Sequence, residues 1–86
     1  MNITDGRLHI YLQKTDHLII EVEYSDGKVI HRISPEDITF YNPNGTSSQL
    51  NESIIIETKH YRHEIENLTG QEIRTITHTI KDILNT

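Results

Sequence analysis

Apolar and polar residues alternate without a break from Leu8 to Gln13. Leu8, Ile10 and Leu12 fall on one side of an extended chain, with His9, Tyr11 and Gln13 on the other. That is the period of a strand with one buried face. The same alternation returns from Leu18 to Ser25, where Leu18, Ile20, Val22 and Tyr24 are set against Ile19, Glu21, Glu23 and Ser25. Lys14-Thr15-Asp16 between them reads as a three-residue loop, a length that places Leu12 opposite Leu18, Ile10 opposite Ile20 and Leu8 opposite Val22. A two-residue loop would put the apolar faces out of register. Asp26-Gly27, flanked by alternating apolar residues, predicts a type I′ hairpin into a third strand, because glycine accepts positive φ at no steric cost. That turn sets Tyr24 opposite Val29, Val22 opposite His31 and Ile20 opposite Ile33, with Glu21 across from Arg32 on the other face. The expected unit is an antiparallel meander with strands at 7–13, 18–25 and 28–34.

Ser34-Pro35-Glu36-Asp37 combines an N-cap residue, a proline at the first helical position and an acid three residues after the cap, the start of a single helical turn. Ile38-Thr39-Phe40-Tyr41 returns to strand chemistry, giving a strand at 38–42, and Asn42-Pro43-Asn44-Gly45 reads as a turn. Thr46 to Asn51 carries no periodicity and is expected to be a loop. Thr69-Gly70-Gln71-Glu72 has the pattern of a capping box. Behind it, Ile73, Ile76, Ile80 and Ile83 recur at helical spacing, predicting an amphipathic helix over 70–84. Residues 53–68 carry two competing signals. Ile54-Ile55-Ile56 and Thr58 favour a strand, while Ile54, Thr58, Tyr61, Ile65 and Leu68 fall at helical spacing and Arg62 and Glu66 form an (i, i+4) pair. The strand reading is adopted, over 53–61.

The fold class that follows is α+β: one domain over residues 1–86, an antiparallel meander of three to four strands with the C-terminal amphipathic helix packed on one face. With Leu8, Ile10, Leu12, Leu18, Ile20, Val22 and Ile33 covered, Tyr11, Ile19, Ile30 and Ile55 are left on the reverse side as an apolar patch. Two strands, the last of the meander and the one near Ile54, are expected to leave sheet edges open to other chains. Fifteen isoleucines and no alanine fit this strand-rich reading, since β-branching costs little on a pleated sheet. A chain of 86 residues without cysteine gains nothing from disulfides, so association with a partner is a natural supplement to a small core.

Charge narrows the classes of partner. The net charge is −5 and the eight Lys and Arg residues are scattered, so the clustered basic footprint of a nucleic-acid-binding protein is lacking. The N-terminal MNITDGRLHIY has no basic stretch leading into an apolar one, and the longest apolar runs are three residues. Neither a signal peptide nor a membrane span is expected, which makes the cytoplasm the expected location. Four Asn-x-Ser/Thr sequons, at Asn2, Asn44, Asn51 and Asn67, are read as ordinary polar composition.

Candidate chemistry is sparse. His60-Tyr61-Arg62-His63-Glu64 is the one local cluster with metal-ligand residue types. In a strand His60 and His63 point to opposite faces; only a helix brings them together, with Glu57 or Glu64 in reach. The pair is a weak metal candidate and a solvated polar face is the simpler account. His31 falls on the apolar face of the meander and reads as a half-buried core histidine. No serine sits in a nucleophile motif, and the four glycines are isolated, so no loop cradles a phosphate. Carboxylate pairs such as Glu21 with Glu23 lack the deep cleft that general-acid chemistry needs. No enzymatic activity and no cofactor are expected.

What remains is binding. The expectation is a small acidic protein, a homo-oligomer such as a dimer, that occupies the surface of a protein partner, a basic one being the complement to its charge. Inhibitors, immunity proteins and anti-defence proteins of viruses and mobile elements work in this way. The residues assigned to the contact are Tyr11, Ile19, Glu21, Glu23, Ile30 and Arg32 on the uncovered sheet face. Two other readings stand beside it: a small-ligand or metal-binding module built on His60 and His63, and a self-assembling structural subunit.

Overall fold

A computed structural model describes residues 2–14, 16–42 and 52–85. The fold is α+β: a four-stranded antiparallel sheet, a three-stranded antiparallel sheet and a C-terminal helix. The chain divides into two compact units, residues 1–35 and residues 36–86. Of the expected turn at Asn42–Gly45 only Asn42 is described, and the loop from Thr46 to Asn51 lies outside the described residues.

The first unit is a meander of β1 (Asn2–Asp5), β2 (Leu8–Gln13), β3 (His17–Tyr24) and β4 (Gly27–Ile33), in that order across the sheet. Between β2 and β3 the register follows the hydrophobic alternation: Leu8 faces Val22, Ile10 faces Ile20 and Leu12 faces Leu18. Gln13 and His17 close the three-residue loop, where Lys14 takes a left-handed φ of 55°. Leu8, Ile10, Leu18, Ile20 and Val22 are fully buried, and Ile33 is nearly so. Each such side chain withdrawn from water contributes about 1.5–3 kcal/mol, the main stabilisation of this unit. Strand β1 is not foreseen from the alternation, because only Ile3 of its four residues is apolar. It pairs with β2 through Asp5 and Leu8, leaving Gly6-Arg7 as a two-residue turn with Gly6 at φ 59°. A glycine at positive φ in the first central position is the arrangement of a type II′ turn.

The β3–β4 connection differs from the expected type I′ turn. Tyr24 pairs with Gly27, so the loop is Ser25-Asp26 rather than Asp26-Gly27. A type I′ turn needs positive φ at Asp26, whereas the described non-glycine residues with positive φ are Lys14 and Asn67. Gly27 instead sits at φ 145° after the turn, at the position where a type I turn favours glycine. Sliding the loop by one residue moves every cross-strand partner by two. Faces are therefore preserved and partners are not. His31 lies opposite Ile20 instead of Val22, Val29 opposite Val22, and Ile33 opposite Leu18. The expected Glu21–Arg32 pairing is replaced by Glu21 with Ile30 and Ile19 with Arg32.

A 3₁₀ turn at Pro35–Asp37 fulfils the single-turn expectation and leads to β5 (Ile38–Tyr41). The second sheet has the order β5, β6 (Glu52–Thr58), β7 (Arg62–Leu68), antiparallel throughout. The strand reading of residues 53–58 holds; the helical alternative for 53–68 does not, and neither does continuation of one strand to residue 61. The chain reverses at Thr58, whose backbone N–H donates to the Tyr61 carbonyl at 2.8 Å. The Thr58 hydroxyl oxygen also accepts from the amides of His60 and Tyr61, at 3.3 and 3.0 Å, a turn made by one side chain. Strand β7 escapes the alternation test because of a bulge: Ile65 faces Ile54 but Leu68 faces Glu52, with Asn67 at φ 56° as the extra residue. Central in its sheet, β6 is not an edge, contrary to the expectation for the strand near Ile54.

Helix α1 (Gly70–Leu84) has the expected bounds and cap. Thr69 Oγ1 accepts from the Glu72 amide at 3.1 Å, and Glu72 Oε1 accepts from the Thr69 amide at 2.9 Å. Ile73, Ile76 and Ile80 are buried, as are Ile54, Ile56, Ile65 and Leu68 of the second sheet, and α1 packs against β6.

Candidate binding face

The face of the first sheet opposite its buried side chains is built from alternate residues of all four strands. Register sets them in rows: Thr4, His9, Glu21 and Ile30 in one, Asn2, Tyr11, Ile19 and Arg32 in the next, with Glu23 beside Lys28 at the end nearest the β3–β4 turn. All six residues assigned to the contact therefore share this face, and β2, β3 and β4 position them.

They are not equivalent. Ile30 is 55% exposed, whereas Ile19 is only 4% exposed. The expectation that Ile19 offers open apolar surface is overturned. Its cross-strand neighbours, Tyr11 and Arg32, flank it with the two longest side chains of the row. Ile19 is thus a buried support beneath the face, and Ile30 is its exposed apolar point. Glu23 and Arg32 are exposed, while Tyr11 and Glu21 are half-buried.

The carboxylates are held by side chains from β2. Tyr11 donates its hydroxyl to Glu21 Oε1 at 3.0 Å, and this hydrogen bond to a carboxylate raises the pKa of the phenol above its ordinary value. His9 Nε2 lies 3.4 Å from Glu23 Oε1 and its Nδ1 lies 3.4 Å from Thr4 Oγ1, so one imidazole links β1 to β3. At the other end of the sheet His17 Nδ1 is 2.9 Å from Asp16, and the interaction lowers the Asp16 pKa. The result is a surface of fixed polar groups around Ile30. Glu21 is oriented by its hydrogen bond, which lowers the entropy cost of using it in a contact.

The remaining candidates are placed elsewhere. His60 is exposed in the β6–β7 turn, and His63 faces Ile56 on the buried side of β7, where burial pulls its pKa below the ordinary value. The helical placement that would have aligned these two histidines does not occur. Among the described residues no three His, Asp or Glu side chains gather closely enough to hold a metal ion. His31 is half-buried. Ile55 lies on the second sheet, in β6, opposite Glu64. Among the described residues no helix is long and apolar enough to cross a membrane.

Sequence reasoning missed four members of the face, Asn2, Thr4, His9 and Lys28, two of them on β1. The missed signal was Asp5-Gly6 between Ile3 and Leu8, a hairpin pattern that adds β1 to the sheet. Comparison with family models, with curated proteins and with solved structures returned no match.

Proposed function

We propose that this protein is a non-enzymatic binding protein that acts by occupying the surface of a protein partner, as inhibitors, immunity proteins and anti-defence proteins do. In this reading it works in the cytoplasm as a homo-oligomer. The observation that carries the reading is the reverse face of the first sheet. There a 55%-exposed isoleucine, Ile30, shares a face with Tyr11, Glu21, Glu23 and Arg32, with Glu21 hydrogen-bonded by Tyr11 and Glu23 beside the His9 imidazole. An apolar point bordered by polar groups is how protein contact surfaces are commonly built. The net charge of −5 favours a basic partner through long-range attraction.

The test is a lysine at the exposed position. Ile30→Lys should keep the circular-dichroism spectrum and cooperative unfolding of the parent, because it removes no buried side chain. It should lose self-association in sedimentation and lose the proteins that the parent retains from extract at low salt and releases at high salt. Ile19→Lys, by contrast, should fail to fold. An Ile30→Lys protein that unfolds, or one that associates as the parent does, overturns the reading.

A further inference from the structure

Strand β4 is an edge of its sheet, and its exposure continues on both faces. Val29 is 44% exposed and Ile30 is 55% exposed. As successive strand residues they point to opposite sides. An edge strand that shows apolar side chains on both faces is a template for another strand. Its charges restrict which strand fits. Pairing with the same strand of a second copy, antiparallel about an axis through Ile30, sets Lys28 opposite Arg32 of the second copy. Like charges would then meet on both sides of the axis. An axis through Val29 reverses this. Val29 meets its own counterpart, Gly27 faces His31 of the second copy, and Arg32 of the second copy comes beside the turn that carries Asp26, once on each side of the axis. Lys28 then falls opposite Ile30 of the second copy, where its aliphatic stem lies over that exposed side chain while the ammonium stays in water.

We propose that two copies of the chain join β4 to β4, antiparallel and in the register centred on Val29, so that their four-stranded sheets become one continuous sheet. The inference rests on the homo-oligomer reading above and names its strand, register and selecting charges. Lys28 and Arg32 act as register keys: they reject the axis through Ile30 and, with Asp26, accept the one through Val29. The reverse faces of both copies stay open and lie side by side, available to a partner.

The chain has no cysteine, so single-cysteine variants report one position each. Directly opposed residues of an antiparallel pair have Cα atoms about 4.5–5.5 Å apart, within the span of a disulfide. Air-oxidised Val29→Cys should run mainly as a covalent dimer on a non-reducing gel, and Ile30→Cys, opposed by Lys28, should cross-link several-fold less. Charge reversal is the second arm. Asp26→Arg alone and Arg32→Asp alone should each weaken the dimer about tenfold or more, and mixing the two should restore it as a heterodimer. Ile30→Asp, which meets Lys28 of the second copy, should keep the dimer that Ile30→Lys loses. A wild-type dimer in which Val29→Cys cross-links no better than Ile30→Cys, or in which the mixed charge variants stay apart, overturns this strand and register while leaving the homo-oligomer reading in place. A wild-type chain that is monomeric at every concentration overturns both.

Discussion

Two glycines of the first unit hold backbone conformations that L side chains rarely adopt. Gly6, at φ 59°, stands at the first central position of its type II′ turn. Gly27, at φ 145°, follows the β3–β4 turn, and strain of roughly 1–3 kcal/mol awaits another residue at either position. A Cβ added at either position meets no atom within 4 Å. Steric contact is therefore removed from the comparison and backbone conformation decides it. Gly6→Ala and Gly27→Ala should each destabilise the protein by roughly 1–3 kcal/mol in urea unfolding; a Gly27→Ala protein that loses nothing would mean that the β3–β4 turn relaxes to another register. Ile19 and Ile30 make the same point with side chains. Ile19 on β3 has a strand on either side and Ile30 on the edge strand β4 has one on a single side, and that difference separates a core residue from the exposed point of the candidate face.

Among the elements, the β6–β7 hairpin depends on local chemistry more than the others. Its turn is organised by Thr58, and its register is reset by Asn67 in the left-handed region. Asn tolerates that conformation because its short polar side chain bonds locally, and a β-branched residue does not. Asn67→Val should cost about 1–2 kcal/mol, and Asn67→Gly should cost little or nothing, both read from denaturant midpoints. Equal losses from the two would show that the Asn67 side chain, not its backbone, holds the bulge. Within β7 the bulge explains why sequence reading went astray. His63 and Ile65 alternate inward, but Leu68 returns to the buried face three residues on instead of two. Helical spacing was imitated by a strand with one extra residue. Helix α1 shows the opposite case: its cap and isoleucine stripe are local, and its bounds were legible to the residue.

For the molecule as a whole, acid stability follows from two shifted groups. Burial holds the His63 imidazole below its ordinary pKa, near 6.5, so the unfolded chain takes up that proton first. The stability linked to His63 is complete above the unfolded value and is lost as pH falls through the folded one. Asp16, lowered by the hydrogen bond from His17, behaves likewise further down, its contribution fading as pH falls below the ordinary carboxylate range. The fold should thus weaken in a first step that begins as pH falls below about 6.5, the ordinary value for histidine. His63→Gln should flatten that step without altering the lower one. An unchanged step in the variant would assign it to another histidine.

The sequence by itself determined the meander, the face to which each of its residues belongs, the capped helix and the strand character of 53–58, because period and capping chemistry act within a few residues. It also placed all six candidate contact residues on one face, since a strand's alternation survives any even shift of register. Only the tertiary structure decided which of them are open. Hydrophobic alternation is blind to a two-residue slide, so whether Glu21 faces Arg32 or Ile30 was settled by the conformation that Gly27 adopts when β4 docks on β3. Burial of Ile19, the bulge in β7 and the two-sided exposure of β4 have the same origin. Each depends on how one strand is set against the next across a turn, which the period of a single strand does not encode.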